Sequence, residues 1–243
     1  MEQDGQQKYL PAGQMLREAL GYWLENSRAM WLFTAGQALF AAVFVLIGGW
    51  TQEWFLLWAA AYYVFWYGFF RYVFNREPYV LSWRIVATLI PSIKIVFMVF
   101  LFLLVLMFLP YVPYLMGDVS LEVKDNYTAF LQQYMQDSQA IDLGLNVVFT
   151  LFSPLLFMRP VLAWIGAIIG RSWSILSAFS RTRDNYFPML LLMIIFNAVF
   201  GVMLFLIRLD WSFVWPTAFI SAPVIVFFSI VMGRVYSFFW GVN

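Results

Sequence analysis

Long apolar runs alternate with short polar segments along most of the 243-residue chain. A helix needs about 20 predominantly apolar residues to cross a bilayer. On this criterion we predict six spans, paired as hairpins over residues 30–74, 91–160 and 189–239. The pattern therefore predicts one all-α integral membrane domain over residues 1–243. Its architecture would be a polytopic helical bundle of about six transmembrane helices with amphipathic interfacial elbow helices.

The segment 9–27 has a different pattern, in which apolar residues recur at helical spacing. The apolar positions on one helical face are Leu16, Ala19, Leu20, Trp23 and Leu24, and the charged positions mostly off that face are Arg17, Glu18 and Glu25. This pattern is typical of a helix lying in the membrane interface. Residues 79–90 and 161–182 also precede hairpins and are predicted to form similar elbows. Each amphipathic segment and the hairpin that follows it would form one unit. The three units would be an internal repeat, or simply the common layout of membrane hairpins.

Basic residues predict the orientation, because Lys and Arg concentrate in cytoplasmic loops. One predicted side holds ten: Lys8, Arg17, Arg28, Arg71, Arg76, Arg84, Arg171, Arg181, Arg183 and Arg234. The other side holds only Lys124 and Arg208. We therefore expect an inner (plasma) membrane protein with both termini in the cytoplasm. The outer loop 111–142 is expected to carry a short helix resting on the outer leaflet.

Composition supports the membrane interpretation and narrows the chemistry. The chain is 63% hydrophobic and 11% charged, and it has no histidine and no cysteine. A typical soluble domain has about 25% charged residues. Zinc, iron–sulfur and bis-histidine haem sites need residues that are missing, so we expect no metal and no cofactor. A formal net charge of +1 gives no electrostatic reason to expect nucleic acid as a partner.

Two cations fall inside apolar runs. In one register, Pro91 begins the third span and Pro160 follows the fourth, so that Lys94 and Arg159 reach the cytoplasmic interface. In the other register, both cations approach the midplane, where each would cost about 2.5–3.5 kcal/mol. The predicted spans contain no Asp or Glu to pair with them. The interfacial register is therefore favoured.

Candidate binding residues follow from these positions. Anionic lipid or phosphate contact is assigned to Lys94, Arg159, Arg84, Arg171 and Arg71. The alternative is that these cations only signal topology. Interhelical hydrogen bonding, or a substrate pathway, is assigned to Gln37, Asn146 and Asn197. Gly166 and Gly170, beside Ala163 and Ala167, have the spacing of a small-residue packing face.

One stretch has a layout known from a membrane protein family. In LFSPLLFMRPVLAWIGAIIGRSWSILSAFSRTRDNYFPMLLLMIIFNAVFGVMLFL, a span ending in Phe and Pro leads to a Gly-rich segment, a helix with Ser and Arg, and another span. The late segment APVIVFFSIVMGRVYSFFW also fits. The chain resembles YciC-type inner-membrane proteins and the membrane-domain superfamily attached to some glycerophosphodiester phosphodiesterases. The resemblance implies a six-span all-α domain, and it transfers neither phosphodiesterase activity nor any catalytic residue.

Three function classes remain after these exclusions. The first is a non-catalytic integral membrane protein. It would associate with membrane lipid, with an anionic phospholipid as a possible ligand, or act as an assembly or scaffold subunit with a protein partner in a membrane complex. The alternative is a transport component, either a permease subunit or a small-solute channel. An intramembrane enzyme is the least favoured, since no nucleophile–base arrangement stands out. The lack of carboxylates in the spans argues against proton-coupled transport.

Overall fold

The structure is a computed structural model, and it describes residues 9–46, 52–74, 88–90, 93–94, 151–152, 154–170, 174–209 and 214–241. Helices make up all the regular secondary structure in these ranges, which confirms the all-α fold. The longer ones are α1 (Ala12–Glu25), α2 (Ser27–Leu46), α3 (Gln52–Val73), α4 (Arg159–Ile168), α5 (Ile175–Arg181), α6 (Tyr186–Leu209) and α7 (Val214–Trp240). A π-helical turn, Pro154–Met158, precedes α4, and a 3-10 turn, Arg183–Asn185, joins α5 to α6.

Helix α7 is the centre of the described structure. It contacts α1, α2, α3, α4 and α6. Its residues Val226, Ile230, Val235 and Tyr236 are fully buried. A helix that is apolar on every side is stable only where neighbours or lipid cover it. The apolar sequence of α7 therefore accounts for its central position. Pro223 lies within this helix.

An aromatic cluster joins α2 to α3. The Phe33 ring meets the Phe69 ring edge-on at 5.0 Å and the Phe65 ring at 5.8 Å. Edge-to-face pairs at these distances stabilise beyond their burial, by about 0.5–1.5 kcal/mol each. A Cβ atom at Gly36 would lie 2.7 Å from the Phe65 ring, so only glycine allows this approach. The predicted pairing of these two helices as neighbours is thus explained by ring packing against a glycine.

Helix α1 has three distinct faces. Ala12, Met15 and Ala19 are buried, and α1 packs mainly on α7. At 100° per residue, a second apolar stripe of Leu16, Leu20 and Leu24 lies beside that face. Leu20 is 51% exposed and Leu24 is 66% exposed. The third face carries the polar residues. The helix predicted over residues 9–27 is present, but its apolar surface is divided between residues in protein contact, including the half-buried Leu16, and the exposed Leu20 and Leu24.

The segment before α1 is anchored to a turn 175 residues further along the chain. The backbone N–H of Leu10 donates to Asn185 Oδ1 at 2.6 Å, and both residues are buried. Asn185 belongs to the 3-10 turn that precedes α6. A side-chain acceptor is well placed here because Leu10 precedes the helix and lacks a helical partner. The hydrogen bond fixes the start of α1 at the start of α6.

The predicted elbow over residues 161–182 is wrong in its first half. Residues 161–168 belong to α4, in which eight of ten residues are buried. Helical backbone also continues through Pro160, which occupies the first turn of α4 instead of following a helix end. The apolar run is therefore a core helix and not a surface helix. The second half, α5, has the exposure expected of an elbow, with Leu176 81% exposed.

The proposed small-residue face of α4 is half correct. A Cβ atom at Gly166 would lie 3.1 Å from the Tyr236 hydroxyl, so α4 and α7 approach closely there. Gly170 has φ +77°, and no neighbouring atom lies within 4 Å of the position its Cβ would take. A positive φ favours glycine. Gly170 therefore ends the helix and does not pack against a neighbour.

Four described helices lie where spans 1, 2, 5 and 6 were predicted: α2, α3, α6 and α7. By length and composition, one described segment qualifies to cross a bilayer: Phe219–Trp240, with mean hydropathy 1.8. Most of hairpin 91–160, and with it the loop 111–142, lies outside the described residues, as do residues 79–87 of the second predicted elbow. The six-span arrangement therefore stays a prediction.

Candidate functional site

Three arginines bind the carbonyl groups at helix C-termini. Arg71 Nη1 donates to Ile168 O at 3.3 Å, at the last residue of α4. Arg159 Nη2 donates to Thr182 O at 3.1 Å, immediately after α5. Arg181 Nη1 donates to the carbonyl of Phe239, in the last turn of α7, at 3.3 Å. The final carbonyls of a helix lack partners within it and carry partial negative charge. The guanidinium groups therefore hold helix ends together.

Each of these guanidinium groups also lies over an aromatic ring, as does that of Arg234. The distances from the guanidinium carbon to the ring centroid are 5.7 Å for Arg71–Tyr67, 5.0 Å for Arg159–Phe179, 5.3 Å for Arg181–Trp240 and 4.8 Å for Arg234–Tyr22. A ring face attracts a cation within about 6 Å of its centroid. We call these four residues the arginine layer. Within the described ranges, each of these four charges therefore lies against an aromatic ring.

Arg159 is the most enclosed member of the arginine layer. It is 6% exposed, and its Nε has no hydrogen-bond partner in the described structure. No carboxylate within the described ranges pairs with it; the Thr182 carbonyl and the Phe179 ring take that place. A buried cation is expensive without such contacts. The Thr182 carbonyl and the Phe179 ring therefore hold the Arg159 side chain beside the junction of α5 and α6.

The predicted cationic site is only partly assembled by the fold. Arg71 contacts the last residue of α4 and Arg159 is its first residue, so nine helical steps of 1.5 Å, about 14 Å, separate the two points of contact on α4. Lys94 is exposed and has an interaction of its own. Arg84 and Arg171 lie outside the described residues. Among these cations, Arg71 and Arg159 thus bind the ends of two different helices.

The predicted interhelical polar residues lie in different environments. Gln37 of α2 is 4% exposed and faces Tyr62 of α3, consistent with a position between helices. Asn197 of α6 lines a cavity of about 330 Å³ whose other walls are apolar side chains of the π-turn, α4, α6 and α7. Asn146 lies outside the described residues. Gln37 does not line the Asn197 cavity, so these two residues do not define one pathway.

A second cavity, of about 360 Å³, lies between α1, α6 and α7. Its walls are wholly apolar and include Leu16, Leu20 and Trp23 from α1. We call it the α1 groove. The stacked rings of Phe196 and Phe228, with centroids 4.0 Å apart, line both cavities. Sequence reasoning recognised the apolar positions of α1. It missed that they line a groove, since that depends on how α1 packs on α7.

The α1 groove lies near a cluster of aromatic and basic groups. Tyr22 of α1 packs against Arg234 of α7. Burial, together with the nearby Tyr72, raises the pKa of Tyr22 to about 12, while the positive charge of Arg234 acts in the opposite direction. The Tyr22 hydroxyl is therefore neutral at physiological pH and does not neutralise Arg234.

Among the residues that the structure describes, no three His, Cys, Asp or Glu side chains come together as metal ligands. The chain matches no known family, no curated protein and no solved structure. The resemblance to YciC-type proteins thus stays a prediction from the layout of the sequence.

Proposed function

We propose that the chain is a non-catalytic, six-span integral membrane protein whose cytoplasmic helix ends associate with lipid. The observation that carries this proposal is the second apolar stripe of α1. Leu16, Leu20 and Leu24 run along a helix that already buries another face against α7. Leu16 is half-buried against the core, but in water the exposed Leu20 and Leu24 would form an unfavourable apolar surface. A helix with its polar face in the headgroup layer and its apolar face in the acyl region removes that cost.

The arginine layer supports the same arrangement. Its members lie near the C-terminal ends of α3 and α7, at the start of α4 and at the end of α5. These positions belong to the side that the Lys and Arg bias assigns to the cytoplasm, with both termini there. Anionic lipids of the cytoplasmic leaflet attract basic residues at this level. The protein would therefore sit in the inner membrane with a basic, aromatic layer at the headgroups.

Binding and assembly are the activities that such a layer supports. The rings and carbonyls around Arg71, Arg159 and Arg181 fix helices relative to one another, which suits a rigid scaffold. The exposed flank of α1 and the exposed Leu176 of α5 offer apolar surface to lipid or to a partner subunit. The working model is a lipid-associated scaffold or assembly subunit of a membrane complex.

A transport component is the second candidate. It is favoured by the cavity that places Asn197 among apolar side chains of α6 and α7. Pro223 also removes one backbone hydrogen bond from α7 beside the α1 groove. Single cysteines along α6 and α7 that react with water-soluble thiol reagents would favour this candidate. A uniformly unreactive set would favour the scaffold.

Topology mapping tests the proposal, and the chain suits it because it contains no cysteine. Single substitutions Gly21→Cys and Ser180→Cys mark the expected cytoplasmic side. Thr51→Cys and Asp210→Cys mark the expected outer side. We expect an impermeant thiol reagent to label the second pair in intact cells and the first pair only after permeabilisation. Labelling of all four from one side, or release of the protein by alkaline carbonate, would refute the six-span proposal.

A further inference from the structure

The α1 groove has the properties of a site for a hydrocarbon chain. Its volume of about 360 Å³ falls in the range of pockets that bind small molecules. The walls from α1 include Leu20, which is 51% exposed at the rim. The walls from α7 include Phe227 and Val231. No polar side chain lines the groove, so an occupant would gain from apolar contact alone.

Arg234 stands in line with the groove on α7. Phe227, Val231 and Arg234 are spaced by four and three residues, which places them on one helical face. Arg234 therefore follows the groove wall by about one turn, towards the C-terminal end of α7. This end of α7 also belongs to the predicted cytoplasmic side. An elongated occupant of the groove would reach a positive charge at this end.

Arg234 differs from the other members of the arginine layer in its hydrogen bonds. Arg71, Arg159 and Arg181 each donate to a helix carbonyl. In the described structure Arg234 donates to no carbonyl; its guanidinium group has the Tyr22 ring at 4.8 Å, and its buried Nε, like that of Arg159, has no hydrogen-bond partner. A cation held only by a ring keeps its capacity to donate to an anion. The unused donors thus lie beside an apolar groove.

We propose that the α1 groove binds one acyl chain of an anionic phospholipid and that Arg234 binds the phosphate group of that lipid. The proposal rests on the membrane location proposed above and names the lipid site within it. Charge complementarity selects an anionic ligand, and the apolar walls select one with a hydrocarbon chain. Free phosphate would satisfy only Arg234, and an apolar protein segment would satisfy only the groove.

The test measures how much an anionic lipid stabilises the intact protein. A ligand that binds only the folded state raises Tm. The protein is reconstituted in vesicles of phosphatidylcholine alone, or of equal parts phosphatidylcholine and phosphatidylglycerol. We expect a higher Tm in the mixed vesicles for the wild type. Arg234→Gln should abolish most of this increase and reduce the phosphatidylglycerol retained after extraction by about tenfold, since a charged hydrogen bond is lost.

Arg183→Gln is the matched control, because it removes the same charge from an exposed position in the 3-10 turn. It should retain the full phosphatidylglycerol-dependent increase in Tm. Arg234→Lys should restore part of the increase that Arg234→Gln loses. An equal increase in the wild type, Arg234→Gln and Arg183→Gln would overturn the assignment of the phosphate group to Arg234.

The groove is tested by Leu20→Trp, which fills it from a rim position that tolerates a larger side chain. We expect this variant to lose retained phosphatidylglycerol although Arg234 is intact. Undiminished retention would overturn the acyl-chain assignment. The acyl-chain assignment would also be overturned if inorganic phosphate, added to phosphatidylcholine vesicles, raised Tm as much as phosphatidylglycerol does. Topology mapping is independent of these readouts, so a protein that spans the membrane without lipid selectivity would refute this inference and leave the proposed location intact.

Discussion

Arg159 and Arg234 belong to the same arginine layer but have different surroundings. Arg159 is 6% exposed, donates to the Thr182 carbonyl and lies over Phe179. Arg234 lies over Tyr22 and, in the described structure, donates to no helix carbonyl; the Nε atoms of both arginines are without a hydrogen-bond partner. Arg159 donates to a carbonyl that joins two helices, whereas Arg234 retains hydrogen-bond donors beside the α1 groove. The acceptors around an arginine, more than its charge, therefore separate a structural role from a binding role.

The largest effect is expected from Arg159→Ala. This substitution removes a buried side chain, its hydrogen bond to Thr182 and its contact with Phe179. Together these losses should lower the free energy of unfolding by about 3 kcal/mol. Thermal or denaturant unfolding in phosphatidylcholine vesicles measures the change. Arg183→Ala, at an exposed position, is the control and should change stability little; equal losses in both variants would mean that Arg159 is not a structural element.

The contact between α4 and α7 should respond next most strongly. Gly166→Val places side-chain atoms against Tyr236, which is fully buried and stacked on Trp240. Overpacking of this kind costs about 1–3 kcal/mol. Gly21→Val provides the comparison, since no atom lies within 4 Å of its Cβ position. Unfolding measurements should show a loss for Gly166→Val alone, and similar stabilities of the two variants would contradict the close approach of α4 and α7.

A smaller effect is expected from Arg234→Gln when no anionic lipid is present. The substitution removes the contact with the Tyr22 ring, which is worth about 0.5–1 kcal/mol at a partly exposed site. The variant should therefore be clearly more stable than Arg159→Ala in the same phosphatidylcholine vesicles. If Arg234→Gln were as damaging as Arg159→Ala, the contrast between the two arginines would fail.

The smallest effect concerns pH. The pKa of Tyr22 is raised to about 12 in the folded protein, above its ordinary value of about 10. The unfolded chain therefore releases this proton first, and stability should fall as pH rises from about 10 towards 12. Tyr22→Phe should make this decline shallower when Tm is followed across the alkaline range. An unchanged decline would show that the Tyr22 side chain is not partly buried beside Tyr72 and Arg234.

The helices themselves were largely predictable from hydropathy. The helix predicted over 9–27 corresponds to α1, the hairpin over 30–74 to α2 and α3, and the hairpin over 189–239 to α6 and α7, with outer ends that differ by no more than three residues. Helical periodicity and apolar length are local properties of the chain. For that reason they indicate where a helix lies, although not what covers it.

The elbow predicted over residues 161–182 was wrong where packing against other helices, and not local sequence, decides which residues are buried. Val161–Ile168 has the same apolar composition whether it lies on a surface or in a core, and the contacts of α4 with α3 and α7 bury it. The arginines were recognised as important from the sequence. Their acceptors were not, because Arg71 bonds a carbonyl 97 residues away and Arg159 one 23 residues away. Such pairs follow from packing and leave no local signal.

The central claim is that α1 lies in the membrane plane with one face on the protein and another in lipid. Single cysteines at Ala19, Leu20, Gly21 and Leu24, carrying a nitroxide label in vesicles, test it directly. We predict that oxygen dissolved in the bilayer reaches the labels at Leu20 and Leu24, that a water-soluble relaxation agent reaches Gly21, and that Ala19 is shielded from both. Equal access of the water-soluble agent to Leu20, Gly21 and Leu24 would contradict the account.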